Sequence, residues 1–274
     1  MCDASDVGFG GYIEFSPSHD KESFGHVFGS WTLHESQQSS TWRELEAVNR
    51  VLKSNISCLQ NEKVRVISDN KNVSKILHIG SKKPYLQSIA CDIEDSCSKF
   101  DIKIHGLWRP RNENKKADYL SRINDRDDWE VSDQVYQYYE QLWGLHTVDR
   151  FATHYNNKCA RFNSKYWCPG TEGIDAFDQC WSNENNWIVP PPSLIPRVIN
   201  KILREKASST LIVPEWKSSP YWPLLLDGEH FKSFILHWSY LPNEKIITHG
   251  KSKKSVFADF PRKFKILALR IDFE

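Results

Sequence analysis

The sequence predicts two consecutive α/β domains. The length of 274 residues suits two domains of ordinary size. The apolar fraction of 39% and the charged fraction of 26% are typical of a globular protein that buries a core. β-like segments alternate with amphipathic helical segments on both sides of the charged run Asp125–Asp128. We therefore expect a first domain at residues 1–125, a linker and helix at 126–144, and a smaller second domain at 145–274 that ends in a basic tail.

The first domain begins with a predicted β-hairpin. Gly and aromatic residues indicate strands at Gly8–Phe15 and Phe24–Thr32, separated by a turn-rich segment. Thr41–Leu52 is predicted to be helical because its apolar residues recur every three or four positions, and Thr41 with Glu44 resembles a capping box. The same patterns predict, in order, a strand at Lys63–Ser68, helices at Asn70–His78 and Leu86–Phe100, a strand at Ile102–Trp108, a basic loop at Arg109–Lys116 and a short helix at Ala117–Arg122.

The second half repeats the alternation of helices and strands. Helices are predicted at Ser132–Trp143 and Leu194–Glu205, and a Pro-rich turn precedes the second of them. Strand, turn, helix and strand in this order are typical of an α/β sheet. The predicted strands are Thr147–Ala152, Trp187–Val189, Thr210–Val213, Phe234–Trp238 and Ile266–Phe273. The cations of the basic tail are Lys245, Lys251, Lys253, Lys254, Arg262, Lys263 and Lys265.

The composition limits the possible classes of function. A formal net charge of +1 gives no general attraction for polyanions, so any nucleic-acid site has to be local. Seven cysteines without a Cys-x-x-Cys pair argue against a disulfide framework and against a zinc knuckle. The sequence opens without a secretory signal and has no apolar run near the ~20 residues that span a bilayer. We expect an intracellular protein, cytoplasmic or nuclear, with no membrane partner.

Four carboxylates stand out by their positions. Asp3 lies at the head of the first strand, Glu44 on the first helix, Asp69 at the end of a strand and Asp118 on the last helix of the first domain. Acids that converge at strand ends repel one another, and hard divalent cations relieve that repulsion. Each acid also has an ordinary alternative: Glu44 as a cap of its own helix, Asp69 as the N-cap of the next helix, and Asp118 as a polar position on an exposed face.

The order and context of these acids resemble the ribonuclease H domain of reverse transcriptases, in particular that of DIRS-like retrotransposons. The resemblance covers residues 1–122, and its motifs are Asp3-Ala4-Ser5 with Gly8-Phe9-Gly10-Gly11, Ser39–Leu45, Ser68-Asp69-Asn70 and Asn114–Arg122. It implies a mixed five-stranded sheet with helices, and cleavage of the RNA strand of an RNA·DNA hybrid. Asp3, Glu44, Asp69 and Asp118 would be the catalytic ligands of two Mg²⁺ ions, which Mn²⁺ can replace.

Specificity in that family rests on the shape of the hybrid and on its 2′-hydroxyls. Candidate contacts with the nucleic-acid backbone are Ser40, Arg43, Asn70, Lys71, Arg109, Arg111, Lys115 and Lys116, and a solvated role is the alternative for each. Two departures from the family are visible. Only two residues precede Asp3, which shortens the first strand. We expect either a fragment of a longer polyprotein, with a polymerase segment upstream, or a gene model that begins late. The loop before Asp118 lacks the histidine that many members carry.

The second half resembles the Dam-type adenine methyltransferase-like domain that follows ribonuclease H in DIRS-like elements. The matching blocks are Val148–Ala152, Asn156–Cys159, Phe162–Ser164, Gly173–Phe177 and Asn186–Pro192. The resemblance implies a Rossmann-like sheet, with Asp149 at the cofactor acid. In those enzymes a short Asn/Asp-Pro-Pro-aromatic loop holds the target adenine. Here that loop reads Val189-Pro190-Pro191-Pro192, so we expect a degenerate site that does not use S-adenosylmethionine.

These observations support three hypotheses of function. The leading one is a metal-dependent endonuclease that cleaves the RNA strand of RNA·DNA hybrids and derives from a retroelement reverse transcriptase. The second is a nucleic-acid-binding relic without catalysis, because the first strand is short. An active DNA adenine methyltransferase is the third and the weakest.

Overall fold

A computed structural model describes residues 1–15, 23–123, 129–242, 247–249, 257 and 263–273. The chain divides into two compact units, Met1–Asn124 and Asp125–Glu274. Both units are α/β, which confirms the predicted fold class. No helix in the described part of the chain is both long enough and apolar enough to cross a membrane. All seven cysteines are free thiols.

Five strands lie among the described residues of the first unit. The strands are β1 (Cys2–Ala4), β2 (Gly8–Glu14), β3 (Ser23–Ser30), β4 (Lys63–Ser68) and β5 (Lys103–Trp108). β1, β2 and β3 form an antiparallel ladder in which Asp3 pairs with Gly10. β4 and β5 are parallel, with Ser68 beside Trp108, and β4 lies next to β1. Among the described residues, hydrogen bonds therefore define a three-stranded sheet, β1-β2-β3, and a separate pair, β4-β5, rather than the expected single five-stranded sheet, and β1 contacts β4 where the two meet.

The described part of this unit also has six helices, together with a 3₁₀ turn at Arg111–Glu113. The helices are α1 (Leu33–Ser36), α2 (Ser40–Ser54), α3 (Ile56–Leu59), α4 (Lys71–Ile79), α5 (Pro84–Lys99) and α6 (Lys115–Leu120). α2 is the central helix, since Leu45, Ala47 and Val48 are fully buried and it packs on β1, β2 and α5. Burial of this apolar stripe is the main term that stabilises the unit.

The start of α2 differs from the prediction. Ser39, rather than Thr41, is the N-cap, and its side chain accepts a hydrogen bond from the N–H of Trp42. The capping box formed by Thr32 and Glu35 belongs to the preceding helix α1. The expected Thr41–Glu44 box was wrong because α2 begins one residue earlier, which places Glu44 beyond the first turn. Glu44 therefore does not cap α2.

The second unit is built on a five-stranded sheet in the order β14-β16-β11-β10-β7 among the described residues. Its strands are β6 (Trp129–Val131), β7 (Val148–Asp149), β8 (Asn163–Ser164), β9 (Gly173–Ile174), β10 (Asn186–Ile188), β11 (Ser209–Pro214), β12 (Leu226–Asp227), β13 (His230–Phe231), β14 (Ile235–Tyr240), β15 (Ile247–His249) and β16 (Ile266–Ile271). Its α-helices are α7 (Asp133–Trp143), α8 (Ile195–Glu205) and α9 (Trp222–Leu225), and 3₁₀ turns lie at Ala176–Asp178 and Pro192–Leu194.

Helices cover both faces of this sheet. β7, β10 and β11 are parallel, whereas β16 runs antiparallel to β11 and β14. The core on one face includes Ile195, Ile199 and Ile202 of α8, and the core on the other includes Tyr136 and Tyr139 of α7. Because α7 packs into this core, residues 126–144 lie within the second unit, which is the larger of the two.

β7 and the basic tail differ in extent from the predictions. The predicted strand Thr147–Ala152 is shortened to β7, because the Asp149 side chain accepts a hydrogen bond from the N–H of Phe151 and turns the chain there. Most of the basic tail, namely Lys245, Lys251, Lys253, Lys254 and Arg262, lies outside the described residues. Lys263 and Lys265 are described and exposed.

Candidate metal centre

Three of the four predicted acids meet in the first unit. Asp3 lies on β1, Glu44 on α2, and Asp69 directly after β4. One carboxylate oxygen from each lies within 4.8 Å of the other two. The fold explains the meeting, since β4 runs beside β1 and α2 packs across β1. Asp3 and Glu44 are buried, whereas Asp69 is partly exposed and opens the cluster to solvent.

Hydrogen bonds from uncharged donors orient the two buried carboxylates. The Ser121 hydroxyl donates to Oδ2 of Asp3 at 2.8 Å. The Ser68 hydroxyl lies 3.4 Å from Oε2 of Glu44, and the N–H of Ala4 also donates to that carboxylate. None of these donors carries a positive charge, so the hydrogen bonds hold the acids in place without neutralising them.

The pKa values of Asp3 and Glu44 reflect their burial and the repulsion between neighbouring carboxylates. Burial raises the pKa of Glu44 to about 8, and the nearby charges of Asp3 and Asp69 contribute in the same direction. Burial also raises the pKa of Asp3, while the hydrogen bond from Ser121 partly offsets it. A divalent cation would favour the ionised form of both acids. The donor set is made only of carboxylate oxygens, which are the ligands that Mg²⁺ and Mn²⁺ prefer. The residues therefore fit a hard divalent metal.

The fourth acid, Asp118, lies beside the cluster but faces two arginines. Its Oδ1 is 2.5 Å from Arg111 and 3.0 Å from Arg122. The hydrogen bond from Arg122 is the largest cause of a lowered pKa of Asp118. Its charge nevertheless acts on Asp3, because α6 packs against β1. The structure thus brings three predicted ligands together and places the fourth next to them, paired with arginine side chains that are themselves largely exposed.

The predicted backbone contacts fall into two groups. The exposed group, whose side chains are accessible to a ligand, consists of Ser40, Lys71, Arg109, Arg111, Lys115 and Lys116. Asn70 and Arg43 are already used within the fold. The Asn70 side chain caps α4 by accepting a hydrogen bond from the N–H of Asn72, a role for which Asp69 was the sequence candidate. Arg43 donates to the carbonyl of Ser5 and to Asp6 at 2.6 Å, and its side chain is only 13% exposed.

Sequence reasoning missed three residues of this site. Ser121 holds Asp3, and the buried Asn114 donates to the main-chain oxygen of Cys2 at 2.8 Å, which ties the basic loop to β1. Trp108 donates its indole N–H to the main-chain oxygen of Asp69 at 2.8 Å. Asn114 and Ser121 belong to the motif that carried Asp118, but their partners are more than 100 residues away in sequence. No local pattern indicates such bonds.

Two of the positions expected from the methyltransferase resemblance, Asp149 and Val189, line a pocket in the second unit, whereas Pro190, Pro191 and Pro192 are not among its lining residues. Asp149 ends β7, is buried, and accepts hydrogen bonds from the N–H of Lys158 at 3.0 Å and of Phe151 at 3.4 Å. Burial raises the pKa of Asp149 to about 6. Val189 follows β10 and offers no acceptor to an adenine amine, and Pro190 accepts a hydrogen bond from the Trp129 indole at 2.9 Å. The pocket is lined by Trp129, Glu130, Val131, Asp149, Phe151, Asn156, Lys158, Trp187 and Val189.

Comparison with known proteins agrees with the resemblance of the second half. Residues 120–255 match the family described as DNA N-6-adenine-methyltransferase (Dam). No curated protein matches the chain. Among solved structures, RNase H1 from the halophilic archaeon Halobacterium salinarum is 17% identical, with a TM-score of 0.35, over 41% of this chain and 80% of that one. The N-terminal RNase H domain of a Mycobacterium tuberculosis protein, solved as a fusion with maltose-binding protein, is 18% identical, with a TM-score of 0.32, over 43% and 84%.

Proposed function

We propose that the first unit is a metal-dependent endonuclease that cleaves the RNA strand of RNA·DNA hybrids. The observation that carries the proposal is the convergence of Asp3, Glu44 and Asp69 within 4.8 Å, with two of the three buried and hydrogen-bonded by uncharged serine side chains. Burying carboxylates in this way is unfavourable for folding. Such an arrangement is typical of a site that is completed by a cation.

Each acid has a defined part in this proposal. Asp3, Glu44 and Asp69 would hold Mg²⁺ or Mn²⁺, and Asp118 would complete a two-ion site. When bound, the ions would activate water and stabilise the departing oxygen of the phosphodiester. Ser121 and Ser68 keep the two buried carboxylates oriented toward the opening. Asp118 can join only if Arg111 and Arg122 turn away, and their exposure leaves them able to do so.

The surroundings of the cluster support nucleic acid as the substrate. Lys71 and Arg109 follow β4 and β5 at the edge where Asp69 lies. Arg111 lies in the 3₁₀ turn before α6, and Lys115 and Lys116 are the first two residues of α6. Exposed cations of this kind bind phosphates and position a duplex without reading its sequence. Recognition of the 2′-hydroxyls and of the A-like shape would select the hybrid.

The origin of the chain is part of the same proposal. The motifs around Asp3, Glu44, Asp69 and Asp118 support descent from a DIRS-like retroelement reverse transcriptase, and a polymerase segment is the expected partner. The match of residues 120–255 to the Dam family is compatible with this arrangement.

Methyl transfer is the second candidate, because of that match. Val189 lines the pocket beside Asp149, and the main-chain oxygen of Pro190 accepts a hydrogen bond from the Trp129 indole. Because valine and proline side chains stand in the adenine-holding loop, it lacks the polar acceptor and the aromatic side chain. We therefore propose a structural or nucleic-acid-holding role for the second unit, without methyl transfer. Transfer of a labelled methyl group from S-adenosylmethionine to DNA would overturn this assignment.

A cleavage assay tests the nuclease proposal. A hybrid labelled on the RNA strand is incubated with the full chain and Mg²⁺ or Mn²⁺. We expect cleavage that is lost in Asp69→Asn and retained in Asp95→Asn, an exposed acid on α5 that serves as the matched control. Tight binding of the hybrid by the wild type without cleavage with either ion would favour the non-catalytic relic instead.

A further inference from the structure

An exposed tryptophan stands next to the acidic cluster. Trp108 is the last residue of β5, and its side chain is 44% exposed. Its indole N–H is not directed to solvent but to the main-chain oxygen of Asp69, at 2.8 Å. The residue that contributes a carboxylate to the cluster therefore also holds the indole. The indole is therefore held at a defined position beside the cluster and remains able to pack against a ligand bound there.

A lysine lies against the same ring. The ammonium of Lys71, the first residue of α4, is 4.6 Å from the centre of the indole. Such a cation–π contact positions the ammonium close to the ring while Lys71 remains exposed. Ring and cation together therefore offer an apolar surface beside a positive charge.

The backbone beneath the pair is rigid. Ser68 and Trp108 are neighbours in the parallel ladder of β4 and β5. The N–H of Arg109 continues the pairing by donating to the oxygen of Ser68 at 3.1 Å. Because Asp69 follows Ser68 directly, the distance from the indole to the cluster is set by regular strand pairing rather than by a loop.

We propose that Trp108 and Lys71 form a nucleotide subsite that holds the sugar–phosphate backbone of the hybrid next to the point of cleavage. The indole packs against the apolar face of a sugar, and the ammonium pairs with the adjacent phosphate. This subsite rests on the proposed function for the identity of its ligand. Its physical role is to set the register of the strand over Asp3, Glu44 and Asp69.

Binding without turnover provides the test. The affinity of the full chain for a fluorescently labelled hybrid is measured by anisotropy, with Ca²⁺ in place of Mg²⁺ and with the RNA strand checked for integrity. We expect Trp108→Ala to weaken binding roughly 10-fold, the order of a lost stacking contact. Lys71→Gln should weaken binding and reduce the dependence of log Kd on log[salt] by about one.

Matched controls separate a local contact from a general effect. Tyr85→Ala removes an aromatic side chain of nearly equal exposure (45%) on α5, and Lys75→Gln removes one charge a single turn further along α4. Neither should change the affinity or its salt dependence by more than a small fraction of these effects. Trp108→Phe keeps a ring but loses the N–H donor, so it should bind more tightly than Trp108→Ala.

The outcomes distinguish this subsite from the nuclease proposal. Unchanged affinity in both Trp108→Ala and Lys71→Gln overturns the subsite, even if the wild type cleaves hybrids. Equal losses in Trp108→Ala and Trp108→Phe, with no loss in Lys71→Gln, would mean that Trp108 only supports Asp69, and this also overturns it. Weakened binding in both variants of a wild type that cleaves nothing retains the subsite and removes the nuclease.

Discussion

Replacing Glu44 by glutamine should make the metal-free protein more stable while abolishing its proposed activity. Glu44 is 7% exposed and shares its surroundings with Asp3 and Asp69. Its pKa is raised from 4.5 to about 8 by burial and by these neighbouring charges. A glutamine has nearly the same shape and can accept the same hydrogen bonds, but it carries no charge to bury.

The magnitude follows from proton linkage. An acid whose pKa is raised in the folded state destabilises the fold as pH rises, because the unfolded chain ionises first. The effect begins near pH 4.5, grows until about pH 8 and is constant above it. At pH 7 it amounts to about 3 kcal/mol, since each pKa unit corresponds to about 1.4 kcal/mol. Glu44→Gln should recover most of this at pH 7 and nothing at pH 4.

A neighbouring glutamate supplies the control. Glu46, two residues further along α2, is also buried, but its carboxylate is 2.8 Å from the buried guanidinium of Arg50. Glu46→Gln removes one of the two carboxylates that pair with Arg50, the other being that of Glu35, and we expect a loss of about 1–3 kcal/mol. Two isosteric substitutions on one helix should therefore have opposite effects on the free energy of unfolding.

Calorimetry on the full chain measures both effects, and hydrogen exchange of the α2 amides assigns the transition to the first unit. A gain of about 3 kcal/mol corresponds to a rise in melting temperature of about 10 °C for a unit of this size. Mg²⁺ should stabilise the wild type more than Glu44→Gln. The reasoning fails if Glu44→Gln is no more stable than the wild type at pH 7, or if its advantage is the same at pH 4.

Three further substitutions test other parts of the structure. His146 is buried, and burial lowers its pKa to about 4. The second unit should therefore lose about 3 kcal/mol as pH falls from 6.5 to 4, a loss that His146→Gln removes in pH-dependent urea unfolding. Arg150→Met should cost about 3–5 kcal/mol, because it leaves the buried side-chain oxygens of Asn163 and Asn186, and the main-chain oxygen of Cys180, without their donor. Gly10→Ala should cost about 1–3 kcal/mol, because a Cβ there would lie 2.4 Å from the N–H of α6's C-cap residue.

The following results would contradict these three predictions. If the difference in the free energy of unfolding between wild type and His146→Gln did not change with pH, the pKa of His146 would be the same in the folded and unfolded states. Near-neutral effects of Arg150→Met or Gly10→Ala in thermal unfolding would show that the buried guanidinium, or the close approach of β2 and α6, is not required for stability.

The regular elements could be predicted because their signals are local. The apolar stripe of α2 and the alternation in Lys63–Ser68 express the periods of a helix and a strand, and burial of those same faces decides the fold. The order of the four acids and their flanking motifs also predicted one shared site from local signals. Strand ends and the helix that covers them are already defined by the periodic segments on either side.

Other features depend on contacts between distant segments. α2 begins at Ser40 rather than Thr41, which left Glu44 free of capping and turned toward Asp3. Whether Asp118 joins the cluster or pairs with its two arginines depends on the path of the loop before α6, where no periodic pattern applies.

The sequence alone therefore determined which side chains were available, the secondary structure that carries them, and the absence of an adenine acceptor at Val189. The tertiary structure decided which of these side chains meet, which are neutralised by a partner, and where an exposed ring such as Trp108 lies beside them. The reason is physical: helix and strand periods are set by neighbours in the chain, whereas carboxylate distances and hydrogen bonds are set by packing between elements.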